Sequence, residues 1–382
     1  MSAIPVTTVV HAHIAEDVFP GHPDRIADAI AERIVDEAVG FDPDALVGVE
    51  VAVHRESVFV TGCVAASRPQ GNTRVLRPLF SLDEIVRDEV SAAGYTGRWA
   101  LEPRVSHDLD RRDFADGERE IRRFSDDQNI VVGYAEGSEA TDWLPPAPYA
   151  ARKLRERLVA LRLEHPGRLG PDGKVLVRID EEEGAFRWGR VNVSLHHAPG
   201  AGDHESLYRL VWPVLEQLSE ELDAALPGIA ADVPDDVLYL NGAGDFSCGG
   251  TFGDNGLSGK KLVVDGYGPG VPIGGGALCG KDPHKVDRIG ALAARQLAVR
   301  LVRDAHARSA RVTLGWLPGA ETPDTLHALV DREPWDEPRI RAAITVPDLS
   351  IEGTFRRLEL AGVRWVNVMR RGYFGNHWAW ER

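Results

Sequence analysis

Lysines and acids gather on glycine-rich backbone at two places in this chain. In GPGVPIGGGALCGKDPHKVDRIGALAARQLA, Gly268 to Ala298, three consecutive glycines precede Lys281, Lys285 and Asp287 at the start of a helical pattern. Backbone N–H groups freed by glycine, a helix N-terminus and two lysines four residues apart make a cradle for polyphosphate. Asp287 beside these cations makes sense if it holds Mg²⁺ between itself and the phosphates. Gly275 to Lys281 matches the first seven positions of a G-x-x-x-x-G-K loop, but Asp282 stands where that loop needs Ser or Thr for magnesium. The phosphate-binding physics therefore stays while the P-loop label goes. Just upstream, GGTFGDNGLSGKKLVVDGYG repeats the theme, with Asp254 and with Lys260 and Lys261 entering an expected strand. Two such elements imply one strongly charged, magnesium-bridged ligand.

A third place is FPGHPDRIADAIAERIVDEAV, Phe19 to Val39. Ile26, Ala27, Ile30, Ile34, Val35, Ala38 and Val39 recur at helical spacing. Pro23 suits the first turn, which leaves His22 at the positive end of the helix dipole, a natural anion site. Taken alone, the segment reads as a surface helix capped by Asp24, with His22 incidental.

The rest of the chain must position these groups. Its 382 residues predict two or three domains, and 43% hydrophobic with 27% charged residues is ordinary for a soluble globular protein. A net charge of −15 argues against nucleic acid or an anionic membrane as partner. Cys63, Cys248 and Cys279 show no C-x-x-C pairing, the N-terminus lacks a signal-peptide pattern, and no apolar run is long enough to span a bilayer. A reduced, cytoplasmic protein is expected.

ALVGVEVAVHRESVFVTGCVAA predicts a hairpin, and Ser81 to Tyr95 a helix with a Ser81/Glu84 capping box. Ser106 to Asp127 is highly charged with little apolar periodicity and reads as a solvated loop or a lid over a charged substrate. Strand, helix, two strands and a helix follow to about residue 226, and a third set begins near Asp236. These predict three similar α+β units with sheets covered by helices on one face. The boundaries expected are 14–110, a charged lid at 111–127, 128–240 and 241–382. His196 and His197 are adjacent at a strand end and cannot conveniently chelate one metal, and His11 with His13 lack a completing ligand set, so no zinc site is assigned.

GHPDRIADAI, LPPAPYAARKL, GPDGKVLV, GDNGLSGKKLVVDGYG, GGGALCGKDPHKVDR and GYFGNHWAWE occur in the order found in methionine adenosyltransferases, and the chain resembles that family from about His22 to Glu381. The resemblance implies three similar two-layer α/β domains about a pseudo-threefold axis, the S-adenosylmethionine synthetase fold. It implies a homodimer, often paired into a dimer of dimers, with active sites between subunits. The implied reaction is attack of methionine sulfur on C5′ of ATP, after which the same site hydrolyses the triphosphate to pyrophosphate and phosphate. By the same resemblance His22 stabilises the departing oxygen, and Asp24 and Asp287 hold Mg²⁺. Asp172, Lys174, Lys260, Lys261, Ala277 and Lys281 match positions around ATP and its phosphates, Phe246 packs on adenine, and Asp127, Asp254 and Lys285 lie by the amino acid.

The departures from the family pattern cluster on the amino-acid side. Cys63 stands where the family has a glutamate for the methionine ammonium, and the family's KQSPDI segment is unrecognisable in EPRVSHDLDRRDF. DDQN at Asp126 to Asn129 replaces GDQG, Lys260 replaces an arginine, and Asp245 reverses the charge of the family's GRF. Cys279 replaces a serine of the family's K⁺ site, although Glu50 survives there. Sulfur is a poor ligand for a hard cation, so weak K⁺ stimulation is expected. Three readings follow: a divergent S-adenosylmethionine synthase, favoured; a paralogue that uses another nucleophile or cleaves the triphosphate without methionine; and a non-catalytic regulatory subunit. Retention of His22, Asp24, Lys174, Lys281, Lys285 and Asp287 speaks against the last.

Overall fold

The computed structural model describes residues 11–70, 73–75 and 80–382; the reading of the first ten residues lies outside that range. The first stretch runs β1 (His11–Val18), α1 (Pro23–Phe41), β2 (Leu46–His54), β3 (Ser57–Ala65), the short ribbon β4 (Arg68–Gln70) and β5 (Thr73–Val75), α2 (Leu82–Ala92) and β6 (Arg104–Arg112). The middle contains β7 (Asn129–Glu136), α3 (Pro146–Glu164), β8 (Leu169–Glu182), β9 (Ala185–His197), α4 (His204–Leu222) and β10 (Leu238–Leu240). The last contains β11 (Gly256–Leu257), α5 (Leu262–Asp265), α6 (Val286–Asp304), β12 (Ser309–Trp316), β13 (Thr325–Val330), β14 (Glu333–Trp335), α7 (Glu337–Ala343), α8 (Ile351–Arg357) and α9 (Trp365–Arg371).

Three four-stranded sheets result, ordered β11-β2-β3-β6, β1-β8-β9-β10 and β14-β13-β12-β7. Each is built on an antiparallel hairpin whose first strand pairs with a strand from a distant part of the chain. The boundaries drawn from sequence therefore need correction. β1 lies ahead of α1 but pairs with β8, β7 lies ahead of α3 but pairs with β12, and β11 pairs with β2. Sequence proximity cannot show this, because an edge strand joins whichever sheet offers it unpaired backbone groups.

α1 is not a surface helix. It is buried almost all round, and Asp24, Asp28, Glu32 and Asp36 are buried with its apolar residues. Their four-residue spacing lines one seam with internal partners. Arg25 donates to Asp28 (3.0 Å) and Asp265 (2.6 Å), Arg288 to both Glu32 oxygens (2.6 and 2.7 Å), and the Trp365 N–H to Asp36 (2.6 Å). α6 is equally enclosed against β7 and β12. A Cβ on Gly133 would lie 2.0 Å from the Ala294 carbonyl carbon, so glycine is required for that approach.

Ser81 caps α2, its hydroxyl accepting from Glu84 N–H at 3.3 Å. The charged run after Ser106 is not a solvated loop throughout. β6 occupies Arg104–Arg112 and pairs in parallel with β3, its hydrogen bonds compensating for a weak apolar pattern in which Leu109 alone is fully inward. Beyond it the segment is pinned: Arg112 is bidentate to Glu118 (2.6 and 2.8 Å), Arg119 grips Asp42 and Asp44, and Arg122 grips Asp282. Lys260 and Lys261 lead into the single helical turn of α5 rather than a strand. Gly259 turns the chain at φ 70° just ahead of them, and Arg25 draws Asp265 inward.

Candidate active site

The turn before α1 is held from three sides. A Cβ on Gly21 would lie 2.3 Å from the Pro171 carbonyl oxygen, so this glycine lets the turn pack on the start of β8. The Tyr95 hydroxyl donates to the Gly21 carbonyl (2.6 Å), and His22 N–H donates to the Phe19 carbonyl (3.0 Å). His22 is thereby buried at the N-terminus of α1. Its Nδ1 accepts the Asp24 N–H (3.2 Å), so the neutral ring carries its proton on Nε2. Burial, then the charges of Lys174 and Lys261, push the His22 pKa down to about 3.

Asp24 is 1% exposed and meets Lys261 at 2.8 Å, Lys260 at 3.7 Å and the Leu257 N–H at 3.0 Å. Burial opposes its charge, but the hydrogen bonds from Lys261 and Leu257 outweigh it and hold the carboxyl below the usual range. His22, Asp24, Lys174, Lys260 and Lys261 thus form one group at a helix N-terminus. Asp172 serves it from beneath, accepting the N–H groups of Gly173 (2.7 Å) and Gly250 (2.8 Å), and burial raises its pKa to about 6.

The loop past β10 carries Phe246. Its N–H donates to His197 Nε2 (3.0 Å) and its carbonyl accepts the His197 N–H (3.1 Å), while the ring lies 5.5 Å from His196, which packs on Trp99 at 4.6 Å. The adjacent histidines together set the Phe246 ledge, His197 through the backbone and His196 against the ring. Asp254 is exposed on the same loop region, its carboxylate turned to its neighbour's N–H at 2.8 Å.

A second group lies on the glycine-rich loop. Gly274 and Gly280 have φ of 79° and 75°, a conformation that favours glycine, and Gly275 N–H anchors the loop to the Ile130 carbonyl (2.7 Å). Lys281 meets Asp287 at 2.8 Å, and a Cβ on Gly276 would strike that carboxylate. Lys285 caps α6 and pairs with Asp126; the adjacent Asp127 is exposed and accepts the Gln128 N–H. Asp282, the residue that breaks the P-loop pattern, is fully buried, accepts the Val47 and His284 N–H groups and pairs with Arg122. It is a structural anchor. The two groups are neighbours, since a Cβ on Gly259 would lie 2.8 Å from the Ala277 Cβ.

Cys63 and Glu50 lie on the outer face of the β2–β3–β6 sheet, which the second group borders through a bridge between Lys281 and Gly48, the partner of Cys63 across β2 and β3. Cys63 Sγ is 3.9 Å from Asp110 on β6, an acid the sequence reading passed over because it lay in the presumed loop. Glu50 is exposed on that outer face, whereas Cys279 is buried in the core with Sγ 3.6 Å from the Asp28 carbonyl oxygen. The segment that carries Cys279 runs beside β2, where the Val49 N–H donates to the Gly280 carbonyl (2.9 Å).

Neutral His22 gives a pH test. The unfolded imidazole titrates near 6.5, the folded one near 3, so between these values the unfolded chain binds a proton that the folded one refuses. The His22 contribution is fully present above pH 6.5 and is lost as pH falls toward 3, by up to about 1.4 kcal/mol per pH unit. Urea denaturation at pH 7 and pH 5 should show His22→Asn losing about 1–2 kcal/mol less than the unmodified protein over that step. Equal losses would mean that His22 is charged in the folded state.

Comparison with known proteins adds to this geometry. Residues 11–106 match the model of the S-adenosylmethionine synthetase N-terminal domain, and residues 248–382 that of the C-terminal domain. The chain is 31% identical to the S-adenosylmethionine synthase of Corynebacterium kroppenstedtii, covering 96% of this chain and 95% of that protein. It is 32% identical to S-adenosylmethionine synthase 1 of Frankia casuarinae over the same shares. Among solved structures, an unusual S-adenosylmethionine synthetase from Campylobacter jejuni superposes with a TM-score of 0.82 at 27% identity, covering 97% of both chains.

Proposed function

Because the chain belongs to the S-adenosylmethionine synthase family, we propose that it transfers the adenosyl group of ATP to the sulfur of L-methionine. A sulfur lone pair forms the bond to C5′, the C5′–oxygen bond breaks, and the triphosphate leaves with that electron pair. The products are S-adenosylmethionine, a sulfonium, and triphosphate, which is then hydrolysed to pyrophosphate and phosphate. The observation that carries this reading is neutral His22, proton on Nε2, beside Lys174, Lys261 and ionised Asp24 at a helix N-terminus.

His22 Nε2–H donates to the departing oxygen as charge develops there. Lys174, Lys260, Lys261 and Lys281 take the phosphates, with Asp172 and Ala277 shaping the loops around them. Phe246 offers its face to adenine. Asp127, Asp254 and Lys285 bind the ammonium and carboxylate of the amino acid.

Among the described residues, no three metal-ligating side chains converge. Asp24 and Asp287 nevertheless fit Mg²⁺, which needs only one or two carboxylates when phosphate oxygens complete its shell. Both are hard oxygen donors already facing ammonium groups at 2.8 Å. Bound there, the metal would screen the triphosphate against the approaching sulfur.

The outer face of the β2–β3–β6 sheet supports assembly as a homodimer or a dimer of dimers. Phe59 (43% exposed) and Leu257 (45%) flank Ala52 there, next to Glu50 and Cys63. A second copy seated on that face would bring Cys63 and Asp110 to its site. No helix among the described residues is long and apolar enough to cross a membrane, and three free cysteines suit the cytoplasm.

Incubation with ATP, Mg²⁺ and a panel of thioethers and thiols, with products identified by mass spectrometry, tests the reading. S-adenosylmethionine with pyrophosphate and phosphate is expected. An adduct of another nucleophile only, or triphosphate released without methionine, would establish the second reading, a paralogue of altered specificity. Cys63 favours that alternative, because a thiol pushed up in pKa by burial supplies no charge for an ammonium.

One substitution separates the two. A charge-assisted hydrogen bond is worth about 1.5–3 kcal/mol. If methionine is the substrate, Cys63→Glu should lower its KM roughly ten- to a hundredfold. If another nucleophile is native, the added carboxylate should impair its turnover and improve methionine little. A methionine titration of both proteins decides. Low KM in the unmodified protein, unchanged by the substitution, would mean that Asp127, Asp254 or Asp110 already supplies the charge.

A further inference from the structure

Lys285 does not offer a free charge to a substrate. Its side chain is 17% exposed and is paired with Asp126, 37% exposed, its one ion-pair partner among the described residues. Anchored backbone holds the two together. The Lys285 N–H donates to the Asp282 carbonyl (3.2 Å), and Arg122, just ahead of Asp126, grips the Asp282 carboxylate. Ser125, next to Asp126, is fixed from the other side. Its N–H donates to the Ala320 carbonyl (2.9 Å), and its carbonyl accepts the Gly319 N–H (2.7 Å). Beyond Asp126 the chain enters β7 at once, with Asn129 opposite Trp316. Asp126 is therefore placed at Lys285 from both ends, at a position that the family pattern fills with glycine.

A carboxylate already seated on Lys285 works against a second one. A substrate carboxylate has either to displace Asp126, losing an ion pair that water screens only in part, or to share the ammonium with it, where like charges repel at close range. A nucleophile without a carboxylate meets neither cost. We infer that Asp126 is a specificity-determining residue: it takes on Lys285 the place of a substrate carboxylate, and so weakens nucleophiles that carry one relative to thioethers that lack it. The inference rests on the adenosyl-transfer reading above, with Lys285 as partner of the amino-acid carboxylate, and adds an internal competitor to that contact.

Steady-state kinetics with ATP, Mg²⁺ and either L-methionine or L-methioninol test it. Methioninol keeps the thioether and the ammonium but has a hydroxyl in place of the carboxylate. Asp126→Asn removes the charge at nearly constant size, Asp126→Ala removes the group, and Asp126→Glu keeps the charge. In the Asn and Ala proteins KM for methionine should fall about three- to thirtyfold, between the worth of an exposed ion pair and that of an enclosed charge-assisted hydrogen bond. The kcat should change little. The KM of methioninol, or its inhibition constant where it is not turned over, should not move. The Glu protein should behave as the unmodified one. In a Lys285→Met background Asp126→Asn should bring no further gain for methionine, because both changes act on one contact. An unchanged KM for methionine in both the Asn and Ala proteins overturns the inference, and a raised one does so by making Asp126 a partner of the ammonium. A fall shared equally by methioninol also overturns it, since the carboxylate is then not what Asp126 opposes. Formation of no adenosylated product from either compound by any of these proteins overturns the adenosyl-transfer reading itself, a failure distinct from the others.

Discussion

His22→Asn is expected to slow adenosyl transfer about 10²–10³-fold, the usual cost of losing one preorganised donor to a developing oxyanion. The effect should fall on kcat, with KM for ATP changed far less, because the Nε2–H contact strengthens only as the C5′–oxygen bond breaks. Asparagine is chosen because its side chain can still cap α1, as His22 Nδ1 does through the Asp24 N–H. Melting should therefore stay close to that of the unmodified protein. Since His22 is already neutral at pH 7 and burial holds its pKa near 3, titration of this residue should not shape kcat between pH 6 and 8. Single-turnover measurements with methionine and ATP check the claim. A His22→Asn protein with near-normal kcat would remove His22 from the chemistry and leave it as a helix cap.

Asp24→Asn and Asp287→Asn are each expected to abolish turnover almost completely. Losing the charge stabilisation that a held metal supplies costs several kcal/mol of transition-state energy, on the order of 10³-fold or more. The folded structure should survive, for separate reasons. Asparagine at 24 keeps an oxygen for the Leu257 N–H, at 3.0 Å in the present structure, and Lys261 can turn toward water. The Asp287 side chain is only 16% exposed, but its one ion-pair partner among the described residues is Lys281, which can turn toward water. Turnover close to normal in both proteins, with normal melting, would refute the metal assignment.

Much of this site was legible before any tertiary structure. Glycine next to lysine and acid, repeated at Asp254–Lys261 and Gly274–Asp287, marked both phosphate-facing segments, since only glycine permits the backbone to approach an anion so closely. His22 ahead of Pro23 marked the third. What misled was environment. The run of acids in α1 looked like a solvated face because a periodic pattern cannot tell a charge facing water from one facing Arg25 or Arg288. The segment after Ser106 looked like a loop because β6 owes its existence to the backbone groups of β3, which leave no mark on its own side chains.

Local chemistry and order along the chain therefore determined most element types, the glycine-rich charged loops and the family, because these depend on residues close in sequence. Tertiary structure decided which strands share a sheet, that Asp126 meets Lys285, that Cys279 is buried against the Asp28 carbonyl, and that Asp110 stands beside Cys63. Each of these depends on groups tens to hundreds of residues apart, brought together only when the sheets form and pack on their helices. The lysine–carboxylate pairs are of both kinds. Their residues were visible as a composition, but that each cation holds an acid at 2.8 Å follows only from burial, which makes an unpaired charge too costly to keep.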